Sequence, residues 1–179
     1  MSVLRVARSA ELTPGDWAAL TALCQAAFNE TWDGVWESIG PGIHVILAGA
    51  EDAPLAHAAI VDRPLYVGAD ALKSGYVEAV AVLPERQGSG LGTHVMAEIN
   101  RLLDESYEIG ALSTGRHGFY ERLGWVRWEG PTWIRHRDGR RERSADEDDG
   151  IMARPTPATP APLDAAQPIA VDWRPGDVW

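Results

Sequence analysis

The stretch Val77–Met96, "VEAVAVLPERQGSGLGTHVM", sets three glycines between a valine-rich run and a pattern of helical period. The run before the glycines reads as a strand. After them Leu91, Val95, Ile99, Leu102 and Leu103 recur at helical spacing, so a helix is expected over about 90–107. A loop placed there sits at a helix N-terminus, where backbone N–H groups lack helical acceptors and the helix dipole favours an anion. Glycine lets the backbone approach an anion with no Cβ in the way. No Lys-Ser/Thr follows, so the P-loop pattern is absent, and "GSGLGT" lacks the glycine spacing of the dinucleotide fingerprint. The residues alone leave two readings open, a phosphate site and a plain glycine turn.

Outward from this stretch, "VLRVAR" reads as a first strand and "TPGDWAALTALCQAAF" as a helix. Thr13 stands as N-cap, Pro14 as the first helical residue and Asp16 in the first turn. Trp17, Leu20, Leu23, Cys24, Ala27 and Phe28 form its apolar face. Three strands are expected in "IHVILA", "LAHAAIVDRPLYV" and "SGYVEAVAVL", separated by the turns "GAEDAP" and "GADALKSG". "IGALST" is a short strand, "HGFYERLG" a short helix closed by Gly124, and "WVRWEGPTWIRHRDGRRER" a hairpin around Asp138-Gly139. "SADEDDG" is a charge run. The proline-rich "ARPTPATPAPLDAAQP" is followed by "IAVDWRPGDVW", which resumes strand character and ends on tryptophan. It therefore reads as an ordered crossing that returns the C-terminus to the domain, not as a disordered tail.

Composition bounds the function. The 179 residues fit one domain, and the net charge is −10, with Lys73 the only lysine among sixteen basic residues. That balance argues against a nucleic-acid partner and suits a chain that receives a cation. The opening "MSVLRVARSAEL" lacks the apolar core of a signal peptide, and no run is long enough to cross a bilayer, so no membrane partner is expected. One cysteine, Cys24, excludes an internal disulfide framework and fits a reducing cytoplasm. The five histidines are scattered without metal-ligand spacing, so no metal site is expected. Eight tryptophans are many for so small a domain, and not all read as core.

"RQGSGLG" is similar to the Gln/Arg-x-x-Gly-x-Gly/Ala loop of the GNAT superfamily of acyl-CoA-dependent N-acetyltransferases, with Gln87, Gly90 and Gly92 in the named places. The order of elements resembles that superfamily too. The implied fold is α/β (α+β), a central, mostly antiparallel mixed sheet flanked by helices, in a single domain over 1–179 with an ordered segment 155–179 returning to the active site. The resemblance implies that the pyrophosphate of acetyl-CoA lies on Arg86, Gln87, Gly88, Ser89, Gly90, Leu91, Gly92 and Thr93. It implies that the backbone of Val80, Ala81 and Val82 pairs with the pantetheine arm, with Thr114 also on the donor. A closer resemblance covers nearly the whole chain. "AHAAIVDRPLYVGADALKSGYVEAVAV", "GALST", "WEGPT", "EDDG" and the terminal "DWRPGDVW" look like the aminoglycoside 2'-N-acetyltransferases.

Acetyl transfer to an amine requires loss of the amine's proton, donors for the oxyanion and a proton for the departing thiolate. Glu78 is the only charge in "YVEAVAVL". On the residues alone it is either a solvent-facing strand residue or a functional carboxylate. The resemblance implies a base beside the reacting amine, acting through water. Tyr120 in "GFYERLG" is a core aromatic on its own pattern, while the resemblance implies the acid near the sulfur. Ser113 matches a family residue near the substrate. Glu147, Asp148 and Asp149 read either as a solvated run or as part of an acidic pocket that a polycation fills. The resemblance places the drug's amines on Asp148, Asp149, Asp177 and the terminus at Trp179. It also implies a homodimer.

The family often carries an aspartate just before the position of Trp36 and another acid a few residues earlier. Here "ETWDGVW" has Val35 and Thr31 in those places and adds Trp32. Glu30 and Asp33 compensate in another geometry, completing a substrate set of Glu30, Trp32, Asp33 and Trp36. Fewer acids on that side fit a substrate with fewer amines, and kasugamycin, which has a 2'-amine but no 2-deoxystreptamine ring, suits it better than gentamicin-like drugs. Two other functions compete: a GNAT enzyme acting on a polyamine, peptide or metabolite, and a non-catalytic acyl-CoA-binding module indifferent to Glu78 and Tyr120.

Overall fold

The computed structural model describes residues 2–160 and 163–179. Its elements begin with β1 (Val3–Arg8), α1 (Pro14–Phe28), α2 (Val35–Ile39), β2 (Gly42–Ala48), β3 (Pro54–Asp62), β4 (Leu65–Val67) and β5 (Asp70–Leu72). There follow β6 (Ser74–Val82), α3 (Leu91–Ser106), β7 (Ile109–Ser113), α4 (His117–Glu121) and β8 (Val126–Arg127). The last are β9 (Thr132–Arg135), β10 (Arg141–Arg143), β11 (Ile151–Pro155) and β12 (Ile169–Asp172). The chain clusters into two compact units that alternate along it, Met1–Val61 with Val77–Arg101, and Asp62–Tyr76 with Leu102–Trp179.

In the first unit α1 starts where its sequence dictates. The Thr13 hydroxyl accepts from the Asp16 N–H at 3.1 Å and the Asp16 carboxylate accepts from the Thr13 N–H at 2.8 Å, a reciprocal capping box behind Pro14. Asn29, left-handed at φ 55°, ends the helix. Leu20, Leu23 and Cys24 are buried as the periodicity requires, but Phe28 is 41% exposed. It is the last helical residue before the left-handed turn, and its ring stacks on Trp32 at 5.1 Å instead of entering the core. The strand order here is β1-β2-β3-β6, with β1–β2 and β2–β3 antiparallel. β6 is thus the terminal strand of this unit, with one edge that no other strand of the unit uses.

In the second unit the start of β6 pairs parallel with β7, Ser74 opposite Ile109 to Tyr76 opposite Ala111. β11 lies antiparallel to β7, and β8 to β11. A second sheet has the order β10-β9-β12-β4-β5, with β12 parallel to β9 and antiparallel to β4. Its core gathers Leu65, Tyr76, Ile109, Trp128, Ile169 and Trp179.

Three expectations change. The run "LAHAAIVDRPLYV" is two strands, because Pro64 has no N–H to continue a ladder, and β4 joins the second sheet. The expected turn "GADALKSG" contains β5, and the hairpin is shorter than read: β9 and β10 flank Gly139 (φ 86°), while β8 belongs with β11. β11 itself was hidden, because its "ARP" looks like the start of the proline-rich segment. Residues 161 and 162 of the expected crossing lie outside the described residues. The segment before them is tied down, with the Thr156 hydroxyl donating to the Tyr107 carbonyl at 2.7 Å and that of Thr159 to the Glu108 carbonyl at 2.6 Å. After them the Trp128 indole donates to the Gln167 carbonyl at 2.8 Å. Among the described residues no helix is long and apolar enough to cross a membrane.

That anchoring has a tight point. A Cβ at Gly130 would stand 2.0 Å from the Gln167 carbonyl oxygen, a backbone atom that cannot swing aside. Gly130→Ala is expected to lower unfolding free energy by roughly 1–3 kcal/mol, read as a lower urea midpoint at unchanged slope. Gly118→Ala, whose Cβ would meet only the end of the Arg122 side chain at 3.8 Å, should leave the midpoint within error.

Candidate active site

The glycine loop has the shape an anion site needs. Gly88 (φ 76°) and Gly90 (φ 85°) adopt backbone that strains an L-residue, and a Cβ built on either meets nothing within 4 Å. Arg86 to Gly90 are exposed, the Gln87 amide donates to the Val82 carbonyl at 3.3 Å, and the Ser89 hydroxyl donates to the Arg86 carbonyl. The first helical bond of α3 runs from the His94 N–H to the Gly90 carbonyl at 3.0 Å. The N–H groups of Leu91, Gly92 and Thr93 come before it and have no helical acceptor. A diphosphate fits this cradle: open space above the glycines, main-chain donors at a helix start, and the Arg86 cation alongside.

Upstream, β6 departs from regular strand. Ala79 has φ 52°, a left-handed conformation uncommon for a residue with a Cβ. Ser74 to Val77 are buried, whereas Glu78, Ala79 and Val80 are half-buried around this kink, before Ala81 returns to the core at 2% exposure. The β7 ladder covers only Ser74 to Tyr76 of β6, so the backbone of Val80 and Val82, whose carbonyl at Val82 accepts from Gln87, lies beyond it in a geometry suited to an extended amide-bearing arm. Elsewhere in this unit Glu30 and Asp33 are exposed. Trp32 is 9% exposed and packs with Leu23, Cys24 and Val61, so it is a core residue before it is a wall. The half-buried Trp36 donates its indole N–H to the Thr21 hydroxyl at 2.9 Å.

The second unit holds the remaining candidates. Tyr120 is buried against Phe119 and Trp125, and burial pushes its phenol up to about 12. Ser113, at the end of β7, is exposed and donates to a Glu147 carboxylate oxygen at 3.3 Å. Thr114 lies beside it, its hydroxyl accepting the Arg116 N–H at 3.0 Å.

The acids separate into two kinds. Asp148 is saturated: its carboxylate accepts from Arg143 through both guanidinium nitrogens, from the Thr132 N–H at 3.0 Å and from the Thr132 hydroxyl at 2.9 Å. The Arg143 and Thr132 bonds hold its pKa down to about 2. Glu147 is the reverse. Partial burial, then the nearby charges of Asp177 and Asp146, raise its pKa against the Ser113 bond. The structure thus ties Ser113 to Glu147, with the exposed Asp177 near enough for its charge to act on Glu147, and leaves Asp148 as a clamp on β9. Asp149 is exposed, and its carbonyl accepts from the His117 imidazole at 2.6 Å. Trp179 is 4% exposed, its indole donating to the Ser144 hydroxyl at 2.9 Å. Sequence reading chose Asp148 over Glu147, and the signal that separates them is Arg143, which pairs with Asp148 five residues on. Among the described residues no group of His, Cys, Asp and Glu could hold a metal ion.

The fold and loop are those of the GNAT acetyltransferases, and residues 41–127 match the Acetyltransferase (GNAT) domain. The aminoglycoside 2'-N-acetyltransferase of Mycolicibacterium fortuitum is 40% identical over 151 residues, covering 82% of this chain and 76% of that protein. The chain belongs to the GNAT family of acetyltransferases, as a homologue of aminoglycoside 2'-N-acetyltransferase. Among solved structures, the GNAT family N-acetyltransferase YhbS of Escherichia coli, in complex with CoA, superposes with a TM-score of 0.67 at 17% identity. It covers 96% of this chain and 89% of its own. A GCN5-related N-acetyltransferase from Kribbella flavida gives 0.58 at 19% identity over 73% of this chain, which spans about a third (34%) of that longer structure.

The Asp148 clamp has a pH signature. A carboxylate with a depressed folded pKa contributes stability that is present above its unfolded value near 3.8 and lost as pH falls through about 2. Asp148→Asn should therefore lower the urea midpoint at pH 7, and the gap to the parent should close between about pH 4 and 2. A gap independent of pH would mean that the ionised clamp contributes nothing.

Proposed function

We propose that this acetyltransferase moves the acetyl group of acetyl-CoA directly onto the 2'-amine of an aminoglycoside in a ternary complex, conferring resistance. The observation that carries the substrate class is the pair Glu147 and Asp177. A partly buried carboxylate whose pKa is raised by a neighbouring acid is relieved either by a proton or by a cation. A polyammonium sugar supplies that cation, and the homologue named for aminoglycosides supports the choice.

Bound acetyl-CoA supplies an acyl thioester open to attack by an amine. Main-chain donors of the glycine loop hold its phosphates, and the backbone of Val80 to Val82 holds its arm. Glu78, half-buried at the kink, takes the proton of the amine, directly or through water. Tyr120 keeps its own proton at neutral pH, because burial raises its pKa to about 12, and so has one to give to the departing sulfur. Cys24 takes no part. It is buried, with its thiol pushed up to about 12, which excludes the thiolate that an acyl-enzyme would need. Within this reading the chain acts as one domain over 1–179, with segment 155–179 at the site, as a cytoplasmic homodimer. The exposed Glu30 and Asp33, with Thr31 and Val35 in place of further acids, favour a kasugamycin-type substrate over 2-deoxystreptamine drugs.

Mass spectrometry of a drug panel incubated with acetyl-CoA should find one added acetyl, on the 2'-amine, with kasugamycin outcompeting gentamicin. Acetylation confined to polyamines or peptides would sink the substrate assignment. Glu78→Gln should lower kcat by about 10²–10⁴ with acetyl-CoA affinity unchanged. Glu147→Gln should raise the drug KM roughly tenfold, the scale of one charge-assisted hydrogen bond. Because the pKa of Glu147 is raised, KM of the parent should fall as pH rises through the acid range, and that slope should vanish in Glu147→Gln.

A further inference from the structure

Two buried histidines lie in strands that are otherwise apolar. His44 is 1% exposed in β2 and His57 is 0% exposed in β3. The register sets His44 opposite Ala59 and Ile46 opposite His57, so the two imidazoles are diagonal neighbours on one face of the sheet. The Trp36 ring lies edge-on to both, at 6.0 and 5.8 Å, and Trp17 covers His44 at 5.2 Å.

One carbonyl fixes every proton in this group. His57 Nδ1 lies 2.9 Å from the Ala79 oxygen, which can only accept, so Nδ1 carries the hydrogen. Burial drives both pKa values down, to about 3 for His57 and about 4 for His44, so both rings are neutral. His57 Nε2 is then an acceptor, and its partner, His44 Nδ1 at 3.0 Å, must donate. That leaves His44 Nε2 as the acceptor for the Ser9 hydroxyl at 2.9 Å, nearer than the competing Gly42 carbonyl at 3.2 Å, and Ser9 Oγ in turn accepts the Gly42 N–H at 2.8 Å. The series runs from Ser9 to Ala79 in one direction only. It ends on a carbonyl, which takes up no proton at working pH, so it is a brace and not a proton path.

From this geometry we infer that Ser9, His44 and His57 form a positioning relay that holds Ala79 in its left-handed conformation, and so aims Glu78 and the backbone of Val80 for acetyl transfer. The inference rests on the reaction proposed above. Ala79 lies between those two residues in sequence, and a change in its φ would turn both. A residue with a Cβ does not hold φ 52° within a strand without an external contact, and the His57 bond to its carbonyl is one.

The test uses the full chain and three variants. Nitrogen-detected NMR of the parent should find His44 and His57 as neutral Nδ1–H tautomers. His57→Leu, which removes the donor, should lower kcat at least tenfold and weaken acetyl-CoA binding by calorimetry at least threefold. His57→Asn, whose amide nitrogen takes the place of Nδ1, should recover most of both. Ser9→Ala, a milder change at a half-buried turn, should leave His44 Nε2 without its donor, keep the Nδ1–H tautomer and lower kcat severalfold, which keeps the relay testable if His57→Leu does not fold. An Nε2–H tautomer at His57, or a Leu variant matching the parent in both kcat and acetyl-CoA affinity, would overturn the relay. A parent that binds acetyl-CoA yet acetylates no aminoglycoside sinks the substrate reading alone, because the tautomers and acetyl-CoA affinity still report on the brace.

Discussion

An alanine held at φ 52° inside β6 is the constraint on which the site depends. Ser74 to Val77 are buried on both faces of the strand. Around Ala79 that burial lapses, and three consecutive residues become half-buried. A carboxylate in the middle of a strand is costly when enclosed and useless when pointing into solvent. The kink places Glu78 between those extremes. Glycine would take this conformation more cheaply. Alanine keeps the rest of the strand stiff, at the cost of needing outside support, which the buried imidazoles supply.

Neighbouring acids in one run have opposite fates because a tight helical turn at Ala145–Glu147 sends them to different surroundings. Asp148 meets Arg143 and Thr132 and becomes a structural ion pair. Although its side chain is about a third exposed, four donors fix it in place. Glu147 meets a hydroxyl and another acid. Its one hydrogen bond, from Ser113, is weaker than the penalty of burial and like charge, which is why the net shift is upward. Charge count alone treats the two as equivalent. Partner count separates them: Asp148 serves the fold, and Glu147 is the acid that the proposed function turns toward a ligand.

Much of the fold was legible because its signals are local. Thr13, Pro14 and Asp16 fix the start of α1 within four residues, and Gly88 and Gly90 mark the loop because positive φ favours glycine. What was not legible depends on partners far along the chain. β11 pairs with β7 about forty residues upstream, and nothing in "IMARP" announces it. Pro64 split one expected strand into two sheets. The loop could be read from its motif, and the burial of Tyr120 from its helical spacing. Glu147 could not, since its neighbours are set by turn direction, and neither could the histidines, which meet only through the register of β2 on β3.

The C-terminus completes the electrostatic argument. The Trp179 indole is buried in the core of its unit and bonded to Ser144, so the chain end is an anchor, not a free tail. Asp177 lies two residues before that anchor, and its carbonyl is held by the Arg174 side chain. Its side chain is exposed, while Glu147 is tethered to Ser113. Two acids on a flexible tail would relax their repulsion by moving apart, and no ligand would be needed. With the backbone of Asp177 anchored, the two acids stay within electrostatic range, and a proton or a bound cation relieves the repulsion that remains. In the proposed reading the buried tryptophan acts on recognition at one remove, by keeping that negative charge near Glu147.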